Sequence, residues 1–103
     1  MRWRRGREDP RVAEGQAALV SLIQRFLSGE MTPQTFDVAY REAFLQYPLG
    51  FGTPVYIVLE RLAFDCNEYV DVPELCEPGD IDDAVLVESA RAALLDLEDL
   101  GAA

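Results

Sequence analysis

Six carboxylates recur at every third position between Asp65 and Asp80: Asp65, Glu68, Asp71, Glu74, Glu77 and Asp80. Asp82, Asp83 and Glu88 follow, so the 29 residues between Arg61 and Arg91 hold nine acids and no cation. Three kinds of chemistry use carboxylates in this way. Paired acids can cleave glycosides, but a chain of 103 residues has little room for a sugar cleft. Grouped acids can hold calcium, but the stretch from Asp71 to Asp83 lacks EF-hand ligand spacing and has no glycine at its sixth position. A one-signed acidic surface can meet a basic partner. The third use fits best, because a merely solvated face mixes signs to limit self-repulsion. Asp96, Glu98 and Asp99 add to it, at a helix end where the macrodipole disfavours anions.

Composition removes most other chemistry. The chain has no histidine, and each of its nine basic residues is arginine. There is therefore no Ser-His-Asp triad, no Cys-His pair, no Schiff-base lysine and no P-loop lysine. Three serines, Ser21, Ser28 and Ser89, have no histidine base, and no glycine-rich phosphate loop is present. The expectation is a protein that is not an enzyme, with no cofactor, no catalytic residue and no metal site. With 19 acids and a net charge of −10 it is not expected to bind nucleic acid directly. Arg2, Arg4, Arg5, Arg7 and Arg11 crowd the N-terminus. From Val12 onward four arginines face seventeen acids, a net of −13.

The elements that must position these acids read as helices throughout. Asp9-Pro10 starts the first helix, with Val12, Leu19, Leu22, Ile23 and Phe26 on its inner face and Ser28-Gly29 as its stop. Thr32-Pro33 opens the second, whose inner face is Phe36, Tyr40, Ala43 and Tyr47. Thr53-Pro54 opens the third, running to about Val70 with Val55, Val58, Leu59, Leu62, Cys66 and Tyr69 inward. Asp80 reads as the N-cap of the fourth, with Leu86, Ala90, Ala93, Leu97 and Leu100 inward and Gly101 ending it. The fold class expected is all-α: one antiparallel four-helix bundle over residues 9–103, preceded by a basic flexible tail, residues 1–8.

Opposite the core of the third helix, Ile57, Glu60, Phe64, Glu68 and Asp71 form a stripe that sets two large apolar side chains among three carboxylates. The bland alternative is that Ile57 and Phe64 pack beneath a neighbouring element. The functional reading is an apolar anchor inside an acidic rim. The residues assigned to partner binding are Glu60, Phe64, Asp65, Glu68, Tyr69, Asp71, Glu74 and Glu77. No apolar run approaches a membrane span, and the N-terminus lacks a signal-type apolar segment, so no membrane contact and a cytoplasmic location are expected. Cys66 and Cys76 are then expected to be reduced thiols.

Three segments carry a family resemblance: FLSGEMTPQTFDVAY from Phe26, VLERLAFDCNEYVDVPEL from Val58, and DIDDAVLVESARAAL from Asp80. Together they resemble the bacterial self-protective, colicin D-type immunity protein family, over about Leu19 to Leu97. The likeness departs from the family at Cys66-Asn67 and in the Arg-rich N-terminus. It implies an antiparallel four-helix bundle that neutralises a cognate toxin, typically a tRNA-cleaving ribonuclease. In such a protein acidic side chains enter the toxin's basic active-site cleft in place of RNA phosphates. The matching positions are Asp65, Glu68 and Asp71, with Glu60 upstream and Tyr69 as the helix-end aromatic. Two other readings share the residues: an acidic regulator or nucleic-acid mimic of another basic protein, and a helical adaptor module whose acids serve solubility alone.

Overall fold

The computed structural model describes residues 10–47, 53–70, 72–75 and 77–103. Asp9, Asp71, Cys76 and the basic tail lie outside the described residues. Within them the chain forms four α-helices: α1 (Pro10–Leu27), α2 (Pro33–Gln46), α3 (Pro54–Asn67) and α4 (Asp83–Asp99). Each helix packs on its neighbours in sequence, α1 closes the ring against α4, and α2 touches α4 across the middle. That is an all-α antiparallel four-helix bundle. One end carries the α1–α2 and α3–α4 connections; the other carries the starts of α1 and α3 and the ends of α2 and α4.

Both Thr-Pro signals act as helix starts. The Thr32 hydroxyl accepts the Thr35 backbone N–H at 3.1 Å, and the Thr53 hydroxyl accepts that of Tyr56 at 3.1 Å. Each supplies one of the acceptors that the first turn's amides lack, with proline at a position that needs none. After α1 the chain turns through Gly29 at φ 89°, and the Glu30 N–H reaches back to the Arg25 carbonyl at 3.0 Å. A left-handed residue is required there, and glycine adopts it without a Cβ penalty.

The core is a column of Leu19, Ile23 and Phe26 from α1, Phe36 and Tyr40 from α2, Tyr56, Leu59, Leu62 and Cys66 from α3, and Leu86, Ala90, Ala93 and Leu97 from α4. Phe26 and Phe36 stack at 4.3 Å, and Phe36 meets Tyr40 at 5.4 Å. The Tyr40 hydroxyl, wholly buried, donates to the Leu59 carbonyl at 2.9 Å and so ties α2 to α3 without leaving a polar atom unmatched.

Five expectations are corrected. α3 stops at Asn67 rather than near Val70, because the Val70 N–H bonds to the Ile81 carbonyl and the Glu68 carbonyl accepts the Ile81 N–H, so the chain leaves the helix to form the Tyr69–Ile81 bridge. The N-cap of α4 is Asp82, whose carboxylate accepts the Val85 N–H at 2.9 Å; Asp80 instead accepts the Glu77 N–H at 3.0 Å inside the loop. Leu100 is exposed, as the C-cap residue beyond the last core turn. Tyr56, not assigned to the interior, is buried in the first turn of α3 against Phe44 and Tyr47, beside Val55, which packs half-buried on the core. Asp37, not assigned to the interior, is buried and bonds Arg41 through two contacts at 3.0 Å.

Burial pushes the Cys66 thiol up to about 12, helped by the Asp37 carboxylate and opposed by the Arg41 guanidinium. Burial also raises the Tyr40, Tyr47 and Tyr56 hydroxyls above their ordinary range. A group whose folded pKa is raised favours folding fully below its unfolded pKa, and the contribution fades as pH rises towards the folded value. Urea midpoints are therefore expected to hold steady from pH 7 to about 8.5, the free thiol's own pKa, and to fall above it. Cys66→Ala should make that alkaline fall shallower. A midpoint unchanged up to pH 11 would contradict the buried environment of these groups.

Candidate functional site

α3 turns one face to solvent, and its connection to α4 spreads the acids across one end of the bundle. The connection, residues 68–82, is fastened at its base. The Val70 N–H donates to the Ile81 carbonyl at 2.8 Å, and the Ile81 N–H donates to the Glu68 carbonyl at 3.1 Å. Tyr69 and Ile81 thus form an isolated parallel bridge, and both side chains lie against the core. The Tyr69 hydroxyl donates to the Asp83 carboxylate in the first turn of α4. Residues 73–75 form a 3₁₀ turn, and the Asp80 carboxylate holds the Glu77 amide. Each of these bonds costs the loop entropy it would otherwise keep, so the acids are displayed from a closed frame.

The eight predicted binding residues divide by place. Glu68, Glu74 and Glu77 are exposed at this end. Phe64, one helical turn before Glu68 on α3, is 59% exposed, an uncommon state for so large an apolar side chain. Asp65 is half-buried on the α4 side of α3, in a recess shared with Arg61, Ser89 and Asp96. Tyr69 is half-buried and engaged with Asp83, so its place is in the frame rather than on the contact surface. Glu60 lies on the α2 side, one turn from Tyr56, whose hydroxyl bonds it. Asp71 lies outside the described residues.

The outer stripe of α3 does not act as one surface. Ile57 and Phe64 both stay exposed, against the bland alternative that they pack under a neighbour. They belong to different ends, however. Phe64 borders a hollow of about 260 Å³ between α2 and α3, lined by Arg41, Phe44, Leu45, Ala63 and Asn67. Ile57 borders another between α3 and α4, beside Asp99 and Leu100. Two apolar residues of the acidic end were not singled out from the sequence. Leu75 is 67% exposed and Val72 is also exposed. Their signal was present, since each directly neighbours one of the every-third-residue acids.

The arginines decide the electrostatics. Arg25 pairs with Glu30 at 3.6 Å, Arg41 with Asp37 at 3.0 Å, Arg61 with Asp96 at 2.9 Å and Arg91 with Glu88 at 2.6 Å. Among the described residues no arginine pairs with Glu68, Glu74 or Glu77. Arg61 begins the acid-only stretch that Arg91 ends. The Arg61 guanidinium turns to Asp96 on α4. Among the described residues the charge of the acidic end is therefore uncompensated, and the low-dielectric bundle behind it concentrates the field outward.

Comparison with known protein families, curated proteins and solved structures returns no match. The function must be read from the surface itself. Among the described residues no group of three or more acids or cysteines is arranged to hold a metal ion, and no helix is long and apolar enough to cross a membrane.

Proposed function

We propose that this chain is an immunity-type inhibitor that binds a basic nuclease toxin, of the tRNA-cleaving ribonuclease class, through the acidic end of its bundle. The observation that carries the reading is the arginine pairing. Every arginine with a described side chain faces an acid elsewhere, while among the described residues none pairs with Glu68, Glu74 or Glu77, which stand on a loop held closed by the Tyr69–Ile81 bridge. A nuclease cleft is basic because it must hold phosphates, so displayed carboxylates are complementary to it. Phe64 and Leu75 supply apolar area within the acidic rim, the arrangement that concentrates binding energy at an interface. On this reading the chain performs no chemistry of its own; its work is to occupy the partner's cleft and keep RNA out.

The test uses a basic, tRNA-cleaving ribonuclease domain as the probe, taken from any toxin gene found directly beside this one. Opposite charges steer encounter, and the enhancement disappears as salt shortens the Debye length from about 30 Å at 0.01 M to about 3 Å at 1 M. The association rate is expected to fall by at least about 10-fold between those salts, with the dissociation rate changing much less. Absence of binding, or an affinity that ignores salt and depends only on Phe64, would overturn the proposal and favour an adaptor module.

A further inference from the structure

Charge is spread unevenly over the two halves of the bundle. Residues 12–46 carry four acids and two arginines, whereas residues 54–99 carry thirteen acids and two arginines. A like-charged second copy of the chain is therefore repelled by α3, α4 and the loop between them, and approaches most easily over α1 and α2. On that side an open groove of about 790 Å³ runs between the two helices. Ala18, Ser21, Ala39 and Ala43 put only small side chains along it, and its two charges, Arg25 on α1 and Glu42 on α2, are of opposite sign. Leu45 stands at its edge at 84% exposure, the most open of the large apolar side chains among the described residues.

We infer that two copies of the chain meet at this groove, as a weak dimer whose two-fold axis runs along it. A contact of that symmetry must be complementary to itself. α1 and α2 are antiparallel, with Phe26 stacked on Phe36 at the end where they connect. Arg25 thus lies at that end with Ala39 across from it, and Ala18 lies at the other end across from Leu45. The two-fold axis lays α1 of each copy over α2 of the other. Arg25 then faces Ala39 of the second copy, with that copy's Glu42 about one turn along, a rise of about 5.4 Å that a guanidinium spans. Leu45 comes to rest over Ala18 of the second copy, a large side chain against a small one. Both pairings occur twice. Glu42 has no arginine partner among the described residues, and the exposed Arg25–Glu30 contact at 3.6 Å leaves most of the five guanidinium donors spare. Area sets the strength. The 14 residues of α2 make the shared length about 21 Å, and two helices side by side span about 20 Å. Such a face covers on the order of 400 Å² per copy, against roughly 800 Å² in a stable interface, so the dimer is weak. Glu68, Glu74 and Glu77 lie outside the groove, and dimerisation leaves them open to a basic partner.

Sedimentation velocity of the full chain, from micromolar to millimolar concentration, is expected to show a monomer–dimer equilibrium. At the nanomolar concentrations of a capture assay so small a face leaves the chain monomeric, so dimerisation and capture are read separately. Leu45→Glu should keep the chain monomeric throughout, with helical circular dichroism unchanged because the side chain is already exposed. Arg25→Glu alone and Glu42→Arg alone should each weaken dimerisation by at least about 10-fold, since each sets like charges together twice. The two substitutions combined should restore it. A chain that stays monomeric at millimolar concentration overturns the inference. So does a dimer indifferent to Leu45→Glu, or one abolished by Phe64→Ser instead, which puts the contact on another face. Failure of the charge swap to rescue also overturns it, as does association beyond the dimer, because a two-fold contact closes on itself. A monomeric chain whose capture of the ribonuclease domain is lost in Leu45→Glu overturns it too, since the groove then serves that partner.

Discussion

Reversing Glu68 and Glu74 to arginine is expected to slow capture of a basic nuclease domain by about 100-fold at low salt, within the range that steering provides. Both side chains are exposed, and neither has an arginine partner among the described residues, so the reversal breaks no internal ion pair. Surface substitutions of this kind usually change stability by no more than about 0.5 kcal/mol each, so a large kinetic effect would belong to the interface. The matched control is reversal of Glu14 and Glu42, which are exposed on α1 and α2 and change net charge equally. If the two double variants slow association alike, net charge and not this surface is responsible, and the assigned site fails. Asp65 is unsuited to the same test. It shares a recess with Arg61, Ser89 and Asp96, so its reversal would disturb the α3–α4 contact along with any partner. Phe64→Ala complements the charge experiment: it should leave the association rate near normal and raise the dissociation rate, since apolar anchors hold a complex after steering has formed it.

The legible and illegible parts of this protein divide by the range of the interaction involved. Thr32-Pro33 and Thr53-Pro54 are local signals, a hydroxyl and a ring acting within four residues, and both hold in the structure. Periodicity likewise identified Leu59, Leu62, Cys66 and, on α4, Leu86, Ala90, Ala93 and Leu97 as core, because one helix face is a property of spacing alone. The errors need knowledge of what lies across the bundle. Asp80 and Asp82 are equally good caps by type, and the choice fell to Asp82 because the Ile81 bridge fixes where the chain may turn into α4. Tyr56 is buried because Phe44 and Tyr47 arrive from α2 to meet it, which no pattern within α3 encodes. The site followed the same division. That the acids form a one-signed run was readable; that Glu60 belongs with Tyr56, Asp65 with the α4 recess and Tyr69 with Asp83 was not. Ile57 and Phe64 are seven positions apart, so they share a helix face, yet the adjoining elements give them to opposite ends.

Phe36→Ala is expected to cost about 3–5 kcal/mol of stability, the range for truncating a buried aromatic. Phe36 has no solvent exposure, stacks on Phe26 at 4.3 Å and meets Tyr40 at 5.4 Å, so its loss opens a cavity that touches two helices. α1 and α2 meet through this stack, and Tyr40 continues the chain of contact to the Leu59 carbonyl on α3. For a domain near 100 residues each kcal/mol shifts Tm by about 4–8 °C, so a fall of at least about 12 °C is expected in thermal unfolding. Against a total stability of about 5–15 kcal/mol the variant is marginal, and urea unfolding at low temperature gives a second measure if heating is irreversible. Phe64→Ala provides the internal contrast. The same truncation at an exposed position should change Tm by only a few degrees. A large fall for Phe64→Ala would mean its ring packs on the bundle and is no free anchor. A small fall for Phe36→Ala would mean that the α1–α2 stack is not what holds this end of the bundle together. The two substitutions thus separate, on one residue type, the part of the apolar surface that makes the fold from the part left over for a partner.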